Sequence, residues 1–331
     1  MMPKKIRNVF TASLLLGLFV FLLSPASARS GGRRSPQFKI MNAHEHIQSL
    51  QEVPKFLEAM DRNDIMTTVI LGSSESTFVM GRKRFKKWEE NNLEILKIAK
   101  AYPGRFIAFP TLDVEDPGKL EKLKSYLNMG GRGLKLYSGN TFFHTRPLDD
   151  PSMMPVYEYC EKNGVPILFH VNPGYFQKEF ELVLKQFPGL KVICPHYCLS
   201  TIKSERFEYL METYPGLYTD TSFGYMDFLT AAIKRFSKNP EKFRNLATKY
   251  QDRILFGTDV VVTNESAKTV DWLTQVVRVY RDMLEKKTYT FFALPGETFN
   301  GLNLDPKILR KIYRDNYIRF FYGGSEPPDS K

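Results

Sequence analysis

Histidine is scarce in this chain: five among 331 residues, beside three cysteines and two tryptophans. Three cysteines, at 160, 194 and 198, make no disulfide framework. Cys194 and Cys198 stand four apart on an expected strand, about 13 Å at the usual rise, whereas a bridge needs Cα atoms within roughly 7 Å. Free, buried thiols are expected. Acidic residues are missing before Glu45. Six of the eleven net positive charges (Lys4, Lys5, Arg7, Arg29, Arg33 and Arg34) precede residue 38, which leaves +5 on the rest. With that modest excess and no recognition motif, a nucleic-acid-binding role is excluded. A glycine-rich phosphate loop is also missing after the first apolar run, which argues against a doubly wound nucleotide fold.

Long apolar stretches are absent but for one. "VFTASLLLGLFVFLL" follows the basic start "MMPKKIRN" and leads through Ser24 and Pro25 to "ASA", ending at Ala28. That order is the one found in secretory signal peptides, and the run is short for a membrane anchor. Residues 1–28 are therefore expected to direct export to the periplasm or beyond, with the membrane involved only through an uncleaved signal. Arg33 and Arg34 follow the apolar run, so they form no twin-arginine signal, and no cysteine marks a lipidation site. Residues 29–37 read as a flexible linker, 38–321 as one domain and 322–331 as a flexible tail.

What is present, from residue 38, is alternation. Apolar runs at "FKIMNA", "TTVILG", "FIAFPTL", "GLKLY", "PILFHV", "KVICPH", "LYTDTS" and "ILFGTD" are separated by amphipathic stretches. One of these stretches, "SMMPVYEYCEKNG", is entered by Asp150 and Pro151 and closed by Gly164, a good helix start and stop. Eight βα units in series predict a single (β/α)8 TIM barrel. The rhythm breaks near residue 287. "LDPKILRKIYRDNYIRFFYGG" predicts a last amphipathic helix, a C-terminal extension capped by Asp305 with Pro306 at its first turn, packed outside the barrel.

The histidines fall in a pattern. On a strand, His44 and His46 share a face, about 7 Å apart, with Asn42 one step deeper on that side. His44, His46, His170 and His196 all lie at the carboxyl ends of expected strands, as does Asp259 in "FGTD". Barrel active sites are built at that end. Any one strand-end histidine is more often a hydrogen-bonded core or surface residue. Together, though, the imidazoles and carboxylate suit zinc or a similar divalent ion.

H-x-H on strand 1, "GLK" on strand 4, histidines on strands 5 and 6 and Asp259 on strand 8 resemble the amidohydrolase superfamily. Within it, the chain resembles the amidohydrolase-related (amidohydrolase 2) group that includes aminocarboxymuconate-semialdehyde decarboxylase-like proteins. "LDDPSMMPVYEYCEKNGVPILFH" and "GLNLDPKILRKIYRDNYIRFF" extend the likeness over residues 38 to about 321. There are two departures: Asn42 stands where the family usually has an acid, and "HYCLS" where it has small residues. The resemblance implies a metal-dependent hydrolase with one divalent ion, Zn2+ or else Mn2+ or Co2+, held by His44, His46, His170 and Asp259. Asp259 would accept the proton of the attacking water, and His196 would polarise the substrate carbonyl. The product would be a cleaved amide, ester or lactone of a small, carboxylated substrate. A two-metal variant would use carbamylated Lys135 as bridge. The alternatives are a nonoxidative decarboxylase (carboxy-lyase) and a non-catalytic binding protein.

Several other residues belong to the expected substrate mouth. His144 and Arg146 follow strand 4; Arg146 suits a carboxylate or its neighbours Asp149 and Asp150. Tyr137, Tyr175, Tyr197 and Phe223 sit near strand ends, and basic residues 82–87 follow strand 2 as a solvated helix start. Asp220 is placed to orient a ligand. Cys198 has the parity of His196, though a packed thiol is the plainer reading. A small-molecule substrate is the expected partner, and a homodimer stays open.

Overall fold

Runs rich in Val, Ile and Leu bounded by turns form parallel strands when both faces are buried, and all eight do so here. The computed structural model describes residues 38–78 and 85–327. The expected signal, the linker, Arg82 to Arg84 and residues 328–331 of the expected tail lie outside them. The strands are β1 (Ile40–Ile47), β2 (Ile65–Leu71), β3 (Phe106–Phe109), β4 (Leu134–Gly139), β5 (Ile167–Val171), β6 (Val192–Ile193), β7 (Leu217–Asp220) and β8 (Ile254–Leu255). The eighth run resumes as β9 (Val260–Val262) after a break at Phe256 to Asp259.

Hydrogen bonding gives two parallel arcs, β3-β2-β1-β9 and β4-β5-β6-β7-β8. A parallel bridge between Thr111 and Lys135 joins them on one side, where Lys135 N donates to Pro110 O at 2.8 Å. On the other side, Ala43 N donates to Phe256 O and Asp259 N to His44 O, both at 2.8 Å. The result is a closed (β/α)8 barrel ringed by helices such as Val53–Arg62, Trp88–Ala101 and Val270–Glu285. Asp150 caps the turn that opens Met154–Lys162 by accepting from Ser152 N, and Gly164 follows with φ +63°. No described helix is long and apolar enough to cross a membrane.

Alternation along the strands sorts the barrel interior into two layers. Met41, Ala43, Val69, Leu71, Phe109, Leu168, Ile193 and Leu255 form a buried apolar cluster distinct from the core under the helices. Two residues beyond Leu168 and Leu255 come His170, on β5, and Gly257, in the break after β8, and Asp220 stands likewise above Tyr218 on β7. The lower layer is apolar and the upper layer carries the chemistry.

The C-terminal segment departs from expectation. It forms Pro306–Arg310, a π-helical turn Lys311–Asp315 and Asn316–Tyr322, and it does not simply lie against the outside. Tyr317, Ile318 and Phe320 join the interior cluster, and Phe320 meets Tyr218 with ring centroids 4.7 Å apart. Asn316 Nδ2 anchors the segment to Gln251 O (2.7 Å) and Ile254 O (2.8 Å). A barrel open at its amino end would expose the lower layer to water, and burial of that apolar surface draws these aromatics in.

Candidate metal centre

The first strand carries a bulge. Asn42 pairs with Thr68 and Glu45 with Ile70, so three steps on β1 face two on β2. An extra residue reverses the alternation. Met41 and Ala43 thus face the lower layer while His44 and His46 face the upper one. Asn42 is consequently not beneath His44 on the same side, as strict alternation predicts. Its Nδ2 donates to Glu45 Oε1, and its Oδ1 accepts from His44 N at 3.1 Å.

The two histidines converge on Asp259. His46 Nε2 lies 3.0 Å and His44 Nε2 3.2 Å from the same oxygen, Oδ1; His196 Nε2 lies 3.8 Å from Oδ2. Each ring is held from behind. Asp220 Oδ2 sits 2.7 Å from His44 Nδ1, and Ser73 Oγ 2.7 Å from His46 Nδ1. His196 Nδ1 faces Ser222 O (3.1 Å) and Ser222 Oγ (2.8 Å). Asp220 Oδ1 accepts from His196 N (2.9 Å) and Ser222 Oγ (2.6 Å), so one carboxylate orients two histidines.

Backbone strain marks the same place. Asp259 has φ +55°, and His196, Tyr197, Cys198 and Leu199 all have φ between +47° and +62°. Left-handed non-glycine residues persist only where their surroundings over-determine them. That turn also corrects the reading of the cysteines. Only Val192–Ile193 is strand, so Cys194 and Cys198 fold together rather than extending apart. The Cys198 thiol donates to Cys194 O at 3.5 Å; both cysteines are free and buried.

Charge follows burial. For His44, burial alone would lower the pKa, but Asp259 and Asp220 override it and raise it to about 9. Burial, opposed by Asp259 and Asp220, brings His196 down to about 4. Burial also lowers His46, and it holds His170 well below its usual value with the help of His196 and Lys135. Burial would raise Asp259, yet His44 and His46 hold it well below the carboxylate range. Lys135 is brought down to about 8 by burial, which Asp259 and Asp220 oppose.

Other expected residues are spread more widely. Among the described residues, the ligand atoms of His44, His46 and Asp259 lie within 4.8 Å of one another, as do those of His44, His196 and Asp220. His170 is in neither group; its ring packs 5.0 Å from His196 and its Nε2 is 3.3 Å from Asn140 Nδ2. Lys135 is fully buried, its Nζ without a hydrogen-bond partner and 4.5 Å over the Tyr137 ring. Tyr137 OH reaches Ser73 Oγ (3.4 Å) and His46 Nδ1 (3.5 Å). His144 is further out, stacked on Phe176 at 3.8 Å and bonded to Ser138 O. Arg146 is engaged by Glu115 (2.6 Å) and Asp150 (3.7 Å). Lys87, from the basic stretch, pairs with Glu75 just before the helix Trp88–Ala101.

Ser73, Ser222, Gly224 and Tyr225 escaped the sequence reading, as did Asn140 beside His170 and Glu45 beside the Asp259 segment. Serines at the ends of strands 2 and 7 were the available signal. A Cβ on Gly224 would sit 2.4 Å from Asp259 Oδ2. Tyr225 OH reaches from the β7 loop to Thr77 O in the β2 loop, 3.5 Å away.

The donor set fits a cation. His44 Nε2 is buried beside Asp259 with hydrogen-bond geometry to no group, and two imidazoles with a carboxylate are ligands for a divalent ion. Fold and site together define a class: a (β/α)8 barrel with a His/His/Asp centre at the carboxyl ends of its strands. The chain belongs to the amidohydrolase family, whose profile matches residues 57–322; that family is generally metal-dependent. His170, His196 and Asp259 lie inside the match, and His44 and His46 precede it. No curated protein matches the chain by sequence. Among solved structures, it is similar to an uncharacterised TIM-barrel protein, Bb4693, from Bordetella bronchiseptica, with 18% identity over 86% of this chain and 98% of that one, TM-score 0.58. It is also similar to 2,6-dihydroxybenzoate decarboxylase from Rhizobium (18%, 87% and 99%, 0.51) and to dihydroorotase from Campylobacter jejuni (17%, 86% and 83%, 0.52). At these identities the likeness is one of fold.

Proposed function

We propose that the chain is an exported, metal-dependent hydrolase that cleaves an amide, ester or lactone bond in a small carboxylated substrate. The convergence of His44 Nε2 and His46 Nε2 on one oxygen of Asp259 carries this reading. His44, His46 and Asp259 would hold the ion, zinc first and manganese or cobalt next; His170, expected as a fourth ligand, is turned to Asn140 and lies outside this group. Bound there, a divalent cation supplies Lewis-acid activation of water at neutral pH. Asp220 and Ser73 hold the Nδ1 side of the two rings, which leaves each Nε2 free to face the ion.

Asp259 would accept the water's proton at Oδ2 and return it to the departing nitrogen or oxygen of the substrate, with His196 Nε2 3.8 Å away on the same side. Ser222 O accepts a hydrogen bond from Nδ1–H of His196, so the neutral ring offers Nε2 as an acceptor. That ring would face the charge that develops on the substrate. The Lys135 ammonium, buried over the Tyr137 ring and without a hydrogen-bond partner, is the group to hold the substrate carboxylate. That same ammonium favours one second reading, loss of CO2 from a carboxylate held against it.

The test is metal content by elemental mass spectrometry, beside His46→Ala and Lys135→Ala. About one equivalent, lost in the histidine variant and kept in the lysine variant, is expected on the ligand count. Two equivalents with both variants depleted would replace this reading with a carbamylated two-metal site, and no metal after reconstitution would overturn it. Release of CO2 from a carboxylated substrate, in place of water-derived oxygen in the product, would favour the decarboxylase. Export predicts a mature amino terminus at Arg29, read by terminal sequencing.

A further inference from the structure

We propose that Glu45, the residue between the two histidines, is a positioning residue that sets how Asp259 is presented to the ion, and that Asn42 is its required amide partner. The proposal rests on the metal-dependent reading above. Glu45 points away from the centre, to the seam where β1 meets the eighth strand. It is fully buried, and its carboxylate accepts from Thr258 Oγ1 and from Val260 N. Those are the residues on either side of Asp259. A third donor, Asn42 Nδ2, completes its shell.

Asp259 needs such a clamp. Its left-handed backbone is unfavourable for a residue with a Cβ, so a loosened segment would relax away from it. One tie is direct, from Asp259 N to His44 O; the other two run through Glu45 to both neighbours. Asn42 extends the clamp to a second ligand, because its Oδ1 accepts from His44 N while its Nδ2 donates to Glu45. Main chain and two side chains thus link His44 to Asp259 on the side remote from the ion. An amide at 42 serves both ends, donating to Glu45 while accepting from His44 N, whereas an ionised carboxylate there has no N–H to give.

The pair can be inverted. Combining Asn42→Asp with Glu45→Gln restores one amide and one acid. The amide introduced at position 45 then donates to the carboxylate introduced at 42, and its carbonyl oxygen still accepts from Val260 N. The experiment is a cobalt(II) titration of the purified protein against a competing chelator, read by visible absorption, with the unfolding midpoint of the metal-free protein measured alongside. Asn42→Asp and Glu45→Gln are each expected to weaken cobalt binding at least about tenfold, as loss of outer-shell partners does, and to change the visible band. The double variant is expected to recover most of that loss. Single variants that bind cobalt like wild type, even with a lower midpoint, would make Glu45 a seam residue and overturn the proposal. A double variant that binds no better than the singles, or does not fold, would overturn the pairing. A wild type that binds no cobalt would overturn the metal-dependent reading and this inference with it.

Discussion

Gly224 shows how little freedom the centre leaves to a single residue. Its φ is +72°, and a Cβ would meet Asp259 Oδ2 at 2.4 Å, so even alanine must displace either the β7 loop or the carboxylate. Gly224→Ala is expected to lower metal occupancy at a fixed low zinc concentration and to destabilise the fold by about 1–3 kcal/mol, the usual scale of overpacking; equilibrium metal content and a denaturant titration check both. At this scale the sequence was only partly legible. His44, His46 and Asp259 could be placed at strand ends from alternation alone. The bulge at 42–45 could not, because it depends on how β1 meets β2 and the eighth strand. Asn42 therefore turned out to bond Glu45 rather than to sit under His44.

At the scale of elements, the helices pack as their amphipathic patterns require, and two ties between them are measurable. Glu181, in the helix Pro173–Gln186, accepts from Gln177 (2.8 Å), from Tyr209 (3.1 Å) in the helix Ser204–Thr213 and from Tyr214 (3.0 Å) just after it. Burial pushes its carboxyl up, but these hydrogen bonds and Lys185 outweigh that and hold it below 4.5. A lowered folded-state pKa stabilises above the unfolded value and is lost as pH falls through it. Glu181→Gln is therefore expected to be less stable than wild type at pH 7, with the gap closing below about pH 4.5; urea midpoints across that range measure it. The second tie is the C-terminal segment. Tyr317→Ala removes a fully buried ring from the barrel's lower layer and is expected to destabilise by about 3–5 kcal/mol, as other aromatic truncations do. A loss under about 1 kcal/mol would mean that the segment does not close the barrel. Its helical propensity and caps were legible, but its burial was not, since an amphipathic stripe does not say which surface will cover it.

For the whole molecule, ion binding and stability should be one measurement. A ligand that binds only the folded state adds about 2.7 kcal/mol at a hundred times its dissociation constant. Chelator-stripped protein is thus expected to melt lower than the zinc-loaded form, and to recover on adding zinc but not sodium. No shift on stripping a protein that had carried metal would show that the ion contributes little to holding the barrel's carboxyl end together. The same linkage sets a pH dependence of loading: His44, raised to about 9 by Asp259 and Asp220, must give up a proton to bind an ion, so affinity rises with pH through the neutral range.

The sequence by itself determined the barrel. Eight apolar runs separated by amphipathic stretches admit few other arrangements of buried parallel strands, and four histidines and an aspartate at strand ends named the kind of centre. Tertiary structure decided which groups actually meet. His44, His46 and Asp259 converge, while His170 faces Asn140 and Arg146 is engaged by Glu115. It also decided what holds them: Asp220, Ser73 and Ser222 behind the rings, and Glu45 across the seam. The reason is physical. Period and composition are local properties of a chain, whereas a hydrogen bond between residues far apart in sequence, such as Glu45 and Val260, exists only once the barrel has closed.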